Sequence, residues 1–103
     1  MAKLKIEIIN QLRDNYSYLI FNNSTSSSII IDPAEDDKII KILEKKNLKL
    51  EYIFITHHHD DHTSGVLGLV RQYPHIKIYS PSELGSISIN KISDNNTIKT
   101  SLN

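Results

Sequence analysis

The sequence predicts an α/β fold, and three features carry that reading. Its opening segments alternate apolar and polar residues at the period of a strand, a strand–helix–strand–helix–strand order follows, and turn-forming residues mark the junctions. At 103 residues the chain suffices for one small domain and not for two.

Leu4, Ile6 and Ile8 alternate with Lys5 and Glu7, as in a half-buried strand. Asn10 to Asn15 reads as a polar turn. Tyr16 to Phe21 is the second strand, closed by Asn22-Asn23 and the serine run Ser24 to Ser28. Ile29-Ile30-Ile31 has the continuous apolar character of a strand buried on both faces. Asp32-Pro33 ends it, since a residue before proline is pushed towards extended geometry. A helix starts near Glu35 to Asp37, whose acids suit the positive end of the helix dipole. Ile39, Ile40, Ile42 and Leu43 give its apolar stripe, Lys45-Lys46 complement its C-terminal end, and the lysines from Lys41 to Lys49 form a solvated face.

Tyr52 to Thr56 is the clearest strand, rich in aromatic and β-branched residues. Beyond it, Thr63 or Ser64 caps a helix carrying Val66, Leu67, Val70 and Tyr73 and stopped by Pro74. Ile76 and Ile78 alternate with Lys77 and Tyr79 as a further strand. The pattern weakens after Ser80. Ile87 and Ile89 suggest a short extended segment, and Asp94-Asn95-Asn96 suggests the turn of a hairpin ending in Ile98 to Leu102.

Twelve basic and twelve acidic residues cancel. This argues against nucleic-acid or anionic-membrane partners, which call for a positive excess. Without cysteine there is neither a disulfide framework nor a thiolate metal site. The N-terminus lacks an apolar signal core, and no stretch approaches the ~20 apolar residues of a membrane span. A cytoplasmic protein is the expectation.

Thr56-His57-His58-His59-Asp60-Asp61-His62 holds four of the five histidines, where a strand gives way to a helix. Neutral imidazole and carboxylate suit zinc or iron. In an extended segment His57 and His59 point to one side and His58 to the other. If the chain then turns, Asp61 and His62 reach a neighbouring position, so that the pattern offers two ligands to each of two metals. A catalytic zinc normally takes three protein ligands and a water. The fifth histidine, His75, could not complete two sites, so the remaining ligands come from elsewhere or are absent. A fortuitous surface chelator or an expression tag would also be histidine-rich. A tag, however, is terminal and uniform, whereas this run is internal, mixed with Asp, and follows a buried-looking strand. His58 and Asp60 read as loop or supporting residues, and His75 as an exposed surface residue. Asp32 is either a strand-ending turn residue or one that orients the metal loop.

The motif His57-x-His59-x-Asp61-His62, preceded by Ile31-Asp32-Pro33, resembles the metallo-β-lactamase superfamily, and within it glyoxalase II, the hydroxyacylglutathione hydrolases. Asp14-Asn15-Tyr16-Ser17-Tyr18-Leu19, the Thr-His-His-His-x-Asp-His run from Thr56, the small segment Thr63-Ser64-Gly65 and the strand Lys77-Ile78-Tyr79 are similar to that family. The similarity spans roughly residues 5 to 80. It implies an αββα sandwich of which residues 1–103 supply the N-terminal half, truncated before the rest. It assigns His57 and His59 to one metal and Asp61 and His62 to the other, with Asp61 also steering the attacking water. Asp60 stands where the family often has an aromatic residue. The family's downstream metal ligands and glutathione-binding residues have no counterpart in this chain.

The resemblance implies two divalent metal ions, zinc foremost with iron or manganese as alternatives, and hydrolysis of a glutathione thioester. S-lactoylglutathione would give lactate and glutathione by attack of metal-bound hydroxide, a step in methylglyoxal detoxification. The alternatives are a persulfide dioxygenase of the same fold and an inactive truncated or split-gene fragment. A nuclease of the superfamily fits poorly with the neutral charge. Partners would be the small-molecule thioester and, for completion of the site, a second copy or a complementary C-terminal fragment.

Overall fold

A computed structural model describes residues 4–11, 15–56, 63–81 and 89–91. Among these, six strands form one mixed sheet whose spatial order follows the sequence. β1 (Leu4–Gln11), β2 (Asn15–Asn22) and β3 (Ser27–Ile31) are antiparallel neighbours. β4 (Lys49–Phe54), β5 (Lys77–Ser80) and β6 (Asn90–Lys91) add in parallel. Helix α1 (Asp36–Lys46) crosses from β3 to β4, and α2 (Thr63–Gln72) from β4 to β5. This is the expected α/β layering.

Both helices cover the same face. Ile39 and Leu43 of α1 and Val66 and Leu69 of α2 join Leu19, Phe21, Ile30, Ile53 and Ile78 of the sheet, and Ile55 just beyond β4, in one buried cluster. Each such fully buried side chain contributes about 1.5–3 kcal/mol by its removal from water. The pairing of β3 with β4 shifts register between Ser28 and Ile29, where β4 inserts Glu51 between Leu50, opposite Ser28, and Tyr52, opposite Ile29. Leu50 and Ile53, of opposite parity, therefore both reach the helix-covered core.

Several expectations need correction. Asn10 to Asn15 is not a turn throughout: β1 runs to Gln11 and β2 begins at Asn15, leaving residues 12–14 outside the description. Leu4, Ile6 and Ile8 do not face the helices. Ile6 and Ile8 are 68% and 62% exposed, and Ile9 and Gln11 point into the core instead. On α2 the fully buried apolar side chains are Val66 and Leu69 while Leu67 is exposed, because the stripe runs 66, 69, 70, 73 in steps of three and four. Thr63 and Ser64 lie inside α2, and the chain just before it is outside the described residues. Asp32 has φ 52°, not extended geometry. The hairpin expected after Asp94 and the residues 87–88 of the extended segment also lie outside the description.

The ends of α1 follow from local chemistry. Asp36 and Asp37 occupy its first turn and Lys45 and Lys46 its last. Asn47 takes the left-handed conformation at φ 55°, with Asn47 N–H donating to Glu44 O at 3.2 Å and Leu48 N–H to Leu43 O at 2.9 Å. That pair is a Schellman closure, a role asparagine fills second only to glycine. No helix among the described residues is long and apolar enough to cross a membrane.

Candidate metal centre

The carboxyl ends of the parallel strands β3, β4 and β5 lie side by side, and the segments leaving β3 and β4 meet there. Loops at such an edge are where open α/β sheets bind ligands. The segment after β3 is Asp32 to Glu35, and the one after β4 leads through Ile55 and Thr56 into the histidine loop. Asp32 N–H donates to Phe54 O at 2.9 Å and Ile55 N–H to Tyr79 O at 2.8 Å, which carry the two ladders to the threshold of the loop.

At that threshold the Asp32 carboxylate receives both donors of Thr56. The Thr56 N–H donates to Asp32 Oδ1 at 2.8 Å, and the Thr56 hydroxyl donates to Oδ2. Asp32 reaches across by adopting a positive φ, which aspartate tolerates better than most residues. Of the two readings of Asp32, these contacts favour the one in which it orients the loop. With both oxygens engaged by Thr56, Asp32 braces the residue from which the loop departs.

The far end of the loop is held by the same short segment. A side chain at Gly65 would place its Cβ 2.5 Å from the Ala34 carbonyl oxygen, and one at Gly68 would collide with the Asp36 carboxylate. Glycine is required at position 65, where the neighbour is backbone, whereas at position 68 the Asp36 side chain would have to turn aside. Residues 32–36 thus touch the chain immediately before and shortly after residues 57–62.

The predicted ligands His57, His59, Asp61 and His62, together with His58 and Asp60, lie outside the described residues, as does Asp14. His75 is exposed, as expected. The donor chemistry of the loop, three imidazoles and a carboxylate among the predicted ligands, fits cations of the zinc class. Sequence reasoning missed Gln11 and Ser17, buried polar residues beneath the Asp32 segment. Gln11 Oε1 accepts from the N–H groups of Ala34 and of Glu35, the latter at 3.1 Å, and Gln11 Nε2 donates to Glu35 O at 3.0 Å. The Ser17 hydroxyl lies 2.7 Å from both Gln11 Oε1 and Asp32 O. The signal for them was parity alone: both share the inward face with Ile9 and Leu19.

The sequence profile of the metallo-beta-lactamase superfamily matches residues 11–89, and the chain belongs to that superfamily. Within it, the chain is similar to proteins named hydroxyacylglutathione hydrolase. It is 44% identical over 84 residues to that of Buchnera aphidicola subsp. Schizaphis graminum, covering 82% of this chain and 33% of the relative. To hydroxyacylglutathione hydrolase 1 of Vibrio vulnificus it is 45% identical over 78 residues, covering 76% of this chain and 31% of the relative. The chain therefore spans about a third of the length of the relatives it matches. Among solved structures it resembles ETHE1 from Myxococcus xanthus, with a TM-score of 0.78 and 19% identity over 92% of this chain and 43% of that one. It also resembles a metallo-beta-lactamase from Staphylococcus aureus subsp. aureus COL, with a TM-score of 0.75 and 21% identity over 95% of this chain and 31% of that one. Those two likenesses establish the fold: the N-terminal half of a metallo-β-lactamase-like αββα sandwich.

Proposed function

We propose that this chain is the metal-loop half of a hydrolase of glutathione thioesters, S-lactoylglutathione being the expected substrate. The observation that carries the reading is the 44% identity over 84 residues to a hydroxyacylglutathione hydrolase, across the segment holding the histidine loop. His57 and His59 would hold one divalent cation, and Asp61 and His62 a second, with zinc foremost and iron or manganese as alternatives. Bound there, the cations would supply Lewis acidity and bring the pKa of a water towards neutrality. Asp61 would also orient that water, while Asp32 and Thr56 fix the direction in which the loop leaves β4.

Two ligands for each cation fall short of the three that a catalytic zinc takes. The remaining ligands and the glutathione-binding groups would come from further polypeptide, whether a continuation of residues 1–103, a separate fragment or a second copy. A cytoplasmic setting agrees with the absence of cysteine and with a relative named hydroxyacylglutathione hydrolase cytoplasmic, from Arabidopsis thaliana.

A chimera tests the proposal, with this chain replacing the matched third of the Buchnera relative. Hydrolysis of S-lactoylglutathione that disappears with His57→Ala is the expected result. A folded, zinc-loaded chimera inert towards the thioester would refute it, and oxygen consumption with glutathione persulfide would favour the dioxygenase alternative.

A further inference from the structure

We infer that Gln11, acting with Ser17, is a positioning residue for the histidine loop. This rests on the assignment of residues 57–62 to metal binding. Gln11 is 1% exposed and stands at the end of β1, with its amide among backbone groups. Its oxygen accepts from the Ala34 and Glu35 N–H groups, and its nitrogen donates to the Glu35 carbonyl. Glu35 is the N-cap of α1 and makes no side-chain cap bond of its own. Gln11 thus secures, from a distant strand, the N–H of the N-cap residue and of the residue before it, the former a group that a capping box bonds from within the helix.

What Gln11 secures is the segment that braces both ends of the loop. Through Ser17, whose single hydroxyl proton can go to either oxygen, the same network reaches the Asp32 carbonyl. The Asp32 side chain then receives both Thr56 donors before the loop. The Ala34 carbonyl lies against Gly65 after it. A displacement of residues 32–35 would therefore move Thr56 and the start of α2 together. Ligand orientation depends on such supporting contacts as well as on the ligands.

A role confined to stabilising α1 predicts a lower melting temperature and nothing else. Four variants separate the two roles. Gln11→Leu removes the amide at similar size, Gln11→Glu keeps the acceptor oxygen, and Ser17→Ala removes the bridging hydroxyl. Ser28→Ala is the control: it removes a buried bond to the Lys49 carbonyl at 2.7 Å, at the opposite end of β3. Zinc affinity is read by competition with a chromophoric chelator, and hydrogen exchange at the Thr56 N–H is read in metal-free protein.

Gln11→Leu and Ser17→Ala are expected to weaken zinc binding about tenfold to a hundredfold. They should also speed exchange at Thr56. Gln11→Glu, which keeps the acceptor but loses the donor to the Glu35 carbonyl, should fall between these variants and the wild type, and Ser28→Ala should match the wild type. Should Gln11→Leu not fold, Ser17→Ala and Gln11→Glu carry the comparison. Lower melting with wild-type zinc affinity and wild-type exchange at Thr56 would overturn the inference. A wild-type chain that binds no zinc would instead refute the metal assignment, leaving exchange at Thr56 to decide the positioning role.

Discussion

Asp32 combines two properties that rarely coincide: a left-handed backbone and a carboxylate with both oxygens occupied by one neighbour. Alanine in its place would lose the bonds to Thr56 and tolerate the positive φ poorly. Asp32→Ala should cost about 1–2 kcal/mol in urea unfolding, the low end for charge-assisted bonds because Thr56 is exposed. Tyr73 offers a separate check. Burial, with a smaller contribution from the Glu44 carboxylate, pushes its phenol above the ordinary value. The folded state thus keeps the proton to higher pH than the unfolded state, whose phenol titrates at about 10. The corresponding stability is intact below that pH and is lost as pH rises beyond it. Stability of the wild type should therefore fall in alkali more steeply than that of Tyr73→Phe, as pH-dependent thermal melts would show. Asp32 was legible in the sequence as a turn residue or a brace, because its position beside Pro33 and ahead of a histidine cluster is distinctive. Gln11 was not, because an isolated glutamine within a polar stretch gives no sign that its amide will be buried.

The elements were legible to the extent that their periodicity was unambiguous. The strand leading into the histidine loop and the α1 stripe rest on dense apolar patterns. On α2, by contrast, Val66, Leu67, Leu69 and Val70 are all apolar, and only packing decides which turn inwards. Leu69 is fully buried and Leu67 is 37% exposed. Leu69→Ala should cost about 2–5 kcal/mol, and Leu67→Ala should fall within about 0.5 kcal/mol of wild type, both by chemical denaturation. Gly65→Ala should cost about 1–3 kcal/mol, since the added methyl meets backbone that has little room to move. For β1 the alternation was visible but its direction was not. Strand period separates two faces without saying which one the helices cover, and only the pairing of Ile8 with Tyr18 and Ile6 with Ile20 places them on the open side.

Across the whole molecule, the face away from the helices carries two apolar rows. One follows the register from Ile8 through Tyr18, Ile31 and Phe54 to Tyr79, and the other runs from Ile6 through Ile20 and Ile29 to Tyr52. Phe54 and Tyr79 meet edge to face at 5.4 Å between ring centres, which gives the surface a firm aromatic end. In an αββα sandwich a second sheet would lie on this face. Ile6, Ile8 and Tyr18 on this face are exposed, and an apolar area of this kind favours association. Ile6→Lys and Ile8→Lys should each reduce concentration-dependent association in sedimentation velocity while changing folding stability by no more than about 0.5 kcal/mol. The most direct test of the central claim is equilibrium dialysis of tag-free protein against zinc, alongside a variant with His57, His59, Asp61 and His62 all changed to alanine. Saturable uptake by the wild-type chain that disappears in the variant is the expected result; equal uptake by both proteins would contradict the assignment of these residues to metal binding.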